Sequence, residues 1–209
     1  MRGVSLVLLL AGLSPLLALA EDITPHAKES AWSYSVSLYH YALPDDENYV
    51  QPGFSADSNK LHLEARYNYE DLDTTSVWAG YNFSFGETVL IDFTPIIGAV
   101  FGNTQGIAPG YLLSVDWKQL EFYTEGEYVF VHNERADSFF YSWSELAIAP
   151  VEWLRAGLVA QRTRVYATER DIQPGLLLGI TVGQVKLTGY VFNPDRDESV
   201  YVLSISADF

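Results

Sequence analysis

Alternation between apolar and polar residues, repeated along most of the chain, limits this sequence to one class of fold. In the segment LHLEARYNYE, from residue 61 to residue 70, every second residue is apolar or aromatic and the residues between are mostly ionisable. Successive side chains of a β-strand point to opposite faces, so such a segment forms a strand with one apolar and one polar face. About twelve segments repeat this pattern, and helical spacing is hard to find. The sequence therefore predicts an all-β protein.

The connections between these segments alternate in length, which predicts how the strands are joined. Longer polar connections have the sequences PDDEN, DLDTT, GNTQG, HNERADS, ATERD and NPDRDE, and shorter ones between them have SNK, GE, WKQ, PVEW and GQ. Such alternation is typical of an antiparallel up-and-down meander closed as a barrel. The second segment, about Tyr49 to Asp57, is the weakest. We predict a closed barrel of 12 strands, with 10 strands as the alternative.

The N-terminal residues predict that the protein is exported. Arg2 precedes an apolar run that ends in Ala18-Leu19-Ala20, the pattern of a signal peptide cleaved after Ala20. A retained membrane anchor is the alternative, but the run is rather short for a spanning helix. We predict a signal peptide at 1–20, a short periplasmic segment at 21–30 and a transmembrane barrel at 31–209. The chain has no cysteine, so no disulfide framework holds it together.

The whole pattern resembles the porin-like β-barrels of Gram-negative outer membranes, and no narrower family is identified. The final segment, YVLSISADF, resembles the assembly signal of that class: Tyr201, Leu203, Ile205 and the terminal Phe209 share one apolar face. The resemblance implies an integral outer-membrane protein that the barrel-assembly machinery recognises through this strand. It also implies that lipid and lipopolysaccharide surround the wall. The competing fold, a soluble β-sandwich, would need His62, Glu64 and Arg66 on its inner face, which is costly.

If the apolar faces point to lipid, the polar faces line the lumen. The residues predicted to line it are His62, Glu64, Arg66, Asp92, Asp116, Glu121, Glu125, Glu127, Glu145 and Lys186. On the strand at 153–166 the inward face is open between two sets, Arg155 with Gln161 or Arg162 with Arg164, and a bulge would allow both. Acids exceed bases in this lining.

Three functions compete for such a lumen. The excess of acids favours a narrow, cation-preferring channel or small-solute pore, since a negative field concentrates small cations and repels anions. Aromatic residues on the polar faces, among them Tyr39, Trp78 and Trp143, favour a filled structural or adhesion barrel without transport. An outer-membrane enzyme is the third reading, but Ser142 and Ser144 lie in YSWSE, which matches no known nucleophile motif.

Charge and motif content exclude further partners. The chain has 27 Asp and Glu against 12 Lys and Arg, so nucleic acid is not an expected ligand. The acidic run Asp45-Asp46-Glu47 lacks the spacing of a calcium loop, and His62 with Glu64 offers only two possible metal ligands. We predict no catalytic site, no metal and no cofactor.

Overall fold

Antiparallel β-strands make up nearly all of the computed structural model, which describes residues 32–44, 46–132, 138–165, 171–196 and 199–209. The predicted signal peptide and the segment at 21–30 lie outside the described residues. The strands are β1 (Ser33–Ala42), β2 (Tyr49–Ser58), β3 (Leu61–Tyr67), β4 (Thr74–Tyr81), β5 (Phe83–Phe85), β6 (Leu90–Gly102), β7 (Gly106–Trp117), β8 (Leu120–Val131), β9 (Phe139–Val151), β10 (Leu154–Val165), β11 (Asp171–Val182), β12 (Val185–Phe192) and β13 (Val200–Asp208).

These strands close into a barrel with twelve wall positions. Each strand pairs with its neighbours in the chain, and β4 and β5 occupy one wall position because both pair with β6. The interruption between them falls at Asn82, whose side-chain amide donates to Asp57 Oδ1 at 2.7 Å and accepts from the Thr94 hydroxyl at 2.7 Å. The prediction of 12 strands is confirmed, including the weak second strand, and the alternative of 10 is wrong.

The first and last strands form the seam of the barrel. β1 pairs with β13 from Ser35 opposite Asp208 to Ala42 opposite Tyr201. At the rim Tyr34 and Phe209 exchange two backbone hydrogen bonds, of 3.0 and 2.8 Å. The seam therefore leaves neither β1 nor β13 with an unpaired edge, which a wall immersed in hydrocarbon requires.

The two ends of the barrel differ in their connections. Tight turns join β2 to β3, β7 to β8 and β11 to β12 at the end where the seam residues Tyr34 and Phe209 lie, and we call this the turn end. The first residues of these turns, Asn59, Lys118 and Gly183, have φ of 51°, 56° and 61°, as tight hairpins require. The longer connections lie at the opposite end, which we call the loop end.

The outer surface of the barrel is an apolar belt. Outward side chains such as Val36, Ile97 and Leu178 are 41%, 59% and 60% exposed. Exposed aromatic side chains near the turn end are Tyr34, Phe83, Phe85, Trp117, Trp153 and Phe209. A soluble sandwich would bury this face, whereas a membrane barrel presents it to lipid between aromatic girdles. Among the described residues, no helix is long and apolar enough to cross a bilayer.

Candidate functional site

The polar faces of the strands point into the lumen, where several ionisable side chains are nearly inaccessible. His62 and Arg66 on β3 are 6% and 4% exposed, and Glu127 and Glu145 on β8 and β9 are 2% and 6% exposed. Their apolar neighbours in sequence, such as Leu63, point outward. The period of two therefore fixes which side chains meet inside the barrel.

A cavity of about 480 Å³ occupies the half of the lumen next to the turn end, and we call it the vestibule. It extends from Ser35, Lys186 and Asp208 near the rim to Tyr141 and Trp143 in the middle of the barrel. Of the predicted lumen residues, the vestibule is lined by His62, Glu64, Arg66, Asp116, Glu121, Glu125, Glu145 and Lys186. Its volume is in the range of small-molecule sites.

Two predicted residues lie elsewhere. Asp92 is exposed and accepts a hydrogen bond from the Ser84 hydroxyl in the β5–β6 hairpin. Glu127 is buried and is not part of the vestibule lining. On β10 the inward set contains Arg155, which reaches luminal carboxylates, whereas Arg162 packs over the Phe140 ring. The side chain of Arg164 lies outside the described ones.

Arg66 is bonded to two carboxylates on different parts of the wall. Its guanidinium donates to both oxygens of Glu64, at 2.7 and 2.8 Å, and to Glu127 Oε2 at 3.1 Å. The hydrogen bond to Glu127 crosses the lumen from β3 to β8. The guanidinium also stacks on the rings of Tyr69 and Trp78, with its central carbon 4.2 and 4.8 Å from the ring centroids. Such stacking suits the planar guanidinium.

Arg155 forms a second group of the same kind nearer the rim. It donates to Glu121 at 3.1 Å and to Glu145 at 2.8 Å. Glu145 Oε1 also accepts from the Trp143 indole and the Tyr190 phenol, each at 2.9 Å. In both groups one arginine is shared by two carboxylates, and in the first group Glu64 also lies 3.5 Å from His62 Nε2.

Glu125 is held by phenols instead of by a salt bridge. It accepts hydrogen bonds from the hydroxyls of Tyr69 and Tyr123, the latter at 2.7 Å. Tyr69 follows the end of β3, and burial raises its pKa well above that of a free phenol. The phenol therefore stays protonated and remains a donor to Glu125.

An aromatic layer closes the vestibule toward the loop end. Tyr39 on β1 meets the Trp143 ring on β9 edge to face, with centroids 6.3 Å apart, and Tyr69 meets Tyr141 in the same way at 5.2 Å. These contacts join strands from opposite sides of the wall. Trp143 also packs on Phe192 at 5.2 Å. Side chains thus fill the lumen at this level.

Beyond this layer, apolar packing continues toward the loop end. A second buried cluster contains Trp78, Ile96, Val100, Ala108 and Val129. The aromatic layer and this cluster therefore divide the lumen into a polar, accessible half and a packed half.

Two carboxylates lie buried between the layer and this packing. In the described part of the chain, Glu127 Oε1 and both carboxylate oxygens of Glu70 are buried without a hydrogen-bond partner in the structure. Burial raises the pKa of Glu70, which lies in the connection between β3 and β4. The carboxylates of Glu70 and Glu127 repel one another when both are ionised, and the positive charge of Arg66 attracts both.

Sequence reasoning missed one vestibule residue and left another open. Asp208 lines the vestibule, although the terminal strand shows its assembly signal only on the opposite, apolar face. Its alternation with Ser204 and Ser206, which also line the cavity, carried the signal. The inward direction of Arg155 is not readable from the sequence, because polar residues occur on both faces of that strand.

Comparison with solved structures places the fold among porin-like barrels. The KdgM porin superposes with a TM-score of 0.64 at 15% identity over 84% of this chain and 99% of the porin chain. A KdgM porin in complex with disordered oligogalacturonate gives 0.63 at 14% identity over the same shares. A chain from a study of in-meso crystallization of membrane proteins gives 0.57 at 10% identity, over 85% of this chain and 83% of that one.

The sequence itself matches no protein-family model and no curated protein. The fold similarity nonetheless confirms the class that the strand pattern predicts. The chain has the fold of a porin-like outer-membrane β-barrel.

Proposed function

We propose that this chain is a narrow pore of the bacterial outer membrane that prefers small cationic solutes. In this proposal it is exported through a cleaved signal peptide and inserted by the barrel-assembly machinery. Outer-membrane lipid and lipopolysaccharide then surround the apolar belt. The fold of the solved porins supports a pore, and the chemistry of the vestibule supports its preference for cations.

The observation that carries the proposal is the charge excess of the vestibule. The carboxylates that line it are Glu64, Asp116, Glu121, Glu125, Glu145 and Asp208, against the cationic Arg66, Arg155 and Lys186. Three permanent cations can offset three of these six carboxylates, and His62, 3.5 Å from Glu64, offsets a fourth when it is protonated, so carboxylates remain in excess. A negative field inside a low-dielectric wall concentrates cations and repels anions.

This charge does not suit the ligand that is named with one of the similar porins. Oligogalacturonate, named with one of the similar porins, is a polymer of acidic sugars. Such a polyanion would meet an excess of carboxylates here. The vestibule of this chain therefore does not favour that polyanion as a solute.

The aromatic layer supports a second candidate, a filled structural barrel. Tyr39, Trp143 and Tyr141 pack across the lumen, and water-filled pores need a continuous path. In the proposed pore this layer is the constriction, and its side chains must move aside for a solute to pass.

Reversal potentials in planar bilayers test the proposal. We expect wild-type barrels to conduct, with cation preference that strengthens at low salt, where screening is weak. The double variant Glu121→Gln/Glu125→Gln keeps side-chain shape and removes two vestibule charges, so the preference should fall. Glu47→Gln/Glu152→Gln is the matched control, because both residues are exposed and neither lines the vestibule.

Each outcome decides between the candidates. An unchanged reversal potential in the vestibule variant would remove these glutamates from the conduction path. Well-folded wild-type barrels that never conduct would establish the filled barrel instead. Heat-modifiable gel mobility and a β-rich circular dichroism spectrum verify folding in both cases.

A further inference from the structure

Acidic and aromatic side chains alternate along one wall of the vestibule. Near the rim Asp116 on β7 stands opposite Glu121 on β8 in the strand register. Tyr123 and then Glu125 follow on the inward face of β8, and all four line the vestibule. Residues four apart on a strand are about 13 Å apart, so the two acidic levels are separated by roughly that distance with a ring between them.

The two acidic levels differ in how their charge is held. Glu125 accepts hydrogen bonds from two phenols, which orient its carboxylate without placing a cation against it. Glu121 shares Arg155 with Glu145, and Asp116 lies beside it. Each level therefore offers a fixed site for a positive group.

The segment between the levels suits an aliphatic chain. Tyr123 presents a ring at the middle position, and Leu112 on β7 also contributes to the cavity surface. Rings favour both methylene groups and the ammonium groups at their ends. A compact inorganic cation would satisfy one level and leave this surface unused.

We propose that the vestibule binds linear aliphatic diamines and polyamines, with one ammonium at Glu125, the other at Asp116 and Glu121, and the methylenes along Tyr123. The inference rests on the proposed function in one respect, since it takes the solute to be a cation that enters from the turn end. It goes further in fixing the solute's shape and the spacing of its charges.

Binding to the full chain, folded in detergent, tests the spacing directly. The probes are a series of α,ω-diamines and, as matched controls, the n-alkylamines of equal carbon number, measured by calorimetry and by the fluorescence of the vestibule tryptophan Trp143. We expect affinity to peak at one diamine length and to exceed that of the matched monoamine at least tenfold. Tenfold corresponds to about 1.4 kcal/mol.

Variants identify the two anchoring levels. Glu125→Gln and Asp116→Asn should each reduce diamine affinity toward that of the monoamine, while Glu47→Gln, in an exposed connection, should not. Equal affinities for diamines and monoamines, or full affinity in Glu125→Gln, would overturn the inference. If cation-selective conductance persists in that case, only the diamine site is refuted. If selectivity is also absent, the proposed function fails as well.

Discussion

Removing Arg66 should destabilise the barrel more than any surface change of the same kind. The residue is 4% exposed and forms ion pairs with two carboxylates, Glu64 and Glu127, the second of which is 2% exposed. Arg66→Met keeps much of the aliphatic volume and removes the charge. Glu127 would then lie without a partner within the wall, and Glu64 would keep only His62, at 3.5 Å.

The expected cost follows from the burial of these groups. Breaking a buried ion pair by removing one partner costs about 3–5 kcal/mol, because a charge is left without compensation. Lost stacking on Tyr69 and Trp78 adds to this cost. Lys60→Met is the control: Lys60 lies in an exposed turn over the Tyr81 ring, and such contacts are worth about 0.5–1 kcal/mol.

Denaturant unfolding in detergent or vesicles, followed by tryptophan fluorescence, measures both variants. Glu127→Gln added to Arg66→Met should recover part of the loss, since it removes one unpaired charge. The defect should also shrink as the pH falls and the stranded carboxylates take up protons. A loss below about 1 kcal/mol for Arg66→Met, or no recovery in the double variant, would refute the reasoning that buried charge dominates here.

Two further predictions concern the rim and the buried acid. Deleting Phe209 removes both backbone hydrogen bonds to Tyr34 and an apolar anchor, so we expect periplasmic accumulation and proteolysis in fractionated cells; wild-type levels in the outer membrane would contradict this. Burial raises the pKa of Glu70. The stability that protonated Glu70 contributes to the barrel is therefore fully present below about pH 4.5, the ordinary carboxyl pKa, and is lost as the pH rises through the higher folded-state pKa. Glu70→Gln should therefore stabilise the barrel by about 1–3 kcal/mol at pH 8 and flatten the pH dependence of unfolding, and an unchanged midpoint at pH 8 would count against it.

The barrel could be predicted from the sequence because the alternation of inward and outward side chains is a local property of each strand. A period of two places His62, Glu64 and Arg66 inside and Leu63 outside without knowledge of any distant residue. The period of two continues through SVWAGYNFSF, residues 76–85, yet the strand is interrupted at Asn82. The break depends on Asp57 and Thr94, which come from other strands.

The contents of the lumen depend on register around the whole ring. The bond from Arg66 to Glu127 joins residues 61 positions apart, and alternation says only that both face inward. Packing of Tyr39 on Trp143 across the barrel likewise requires the stagger of strands that are not neighbours. The sequence therefore indicated an acidic, aromatic interior without showing that one half is packed and the other open.

The seam between β1 and β13 also orders the folding of the chain. Every other contact between neighbouring strands forms within a hairpin, whereas the seam joins residues roughly 160 to 170 positions apart. Loop-closure entropy grows with the logarithm of length, so this pairing costs about 2 kcal/mol more than a hairpin of some fifteen residues. Until it forms, the nascent sheet has two unpaired edges and an apolar face open to aggregation. Of the strand pairings, closure of the ring thus carries the largest loop-closure cost, and both edges stay unpaired until the last strand is available.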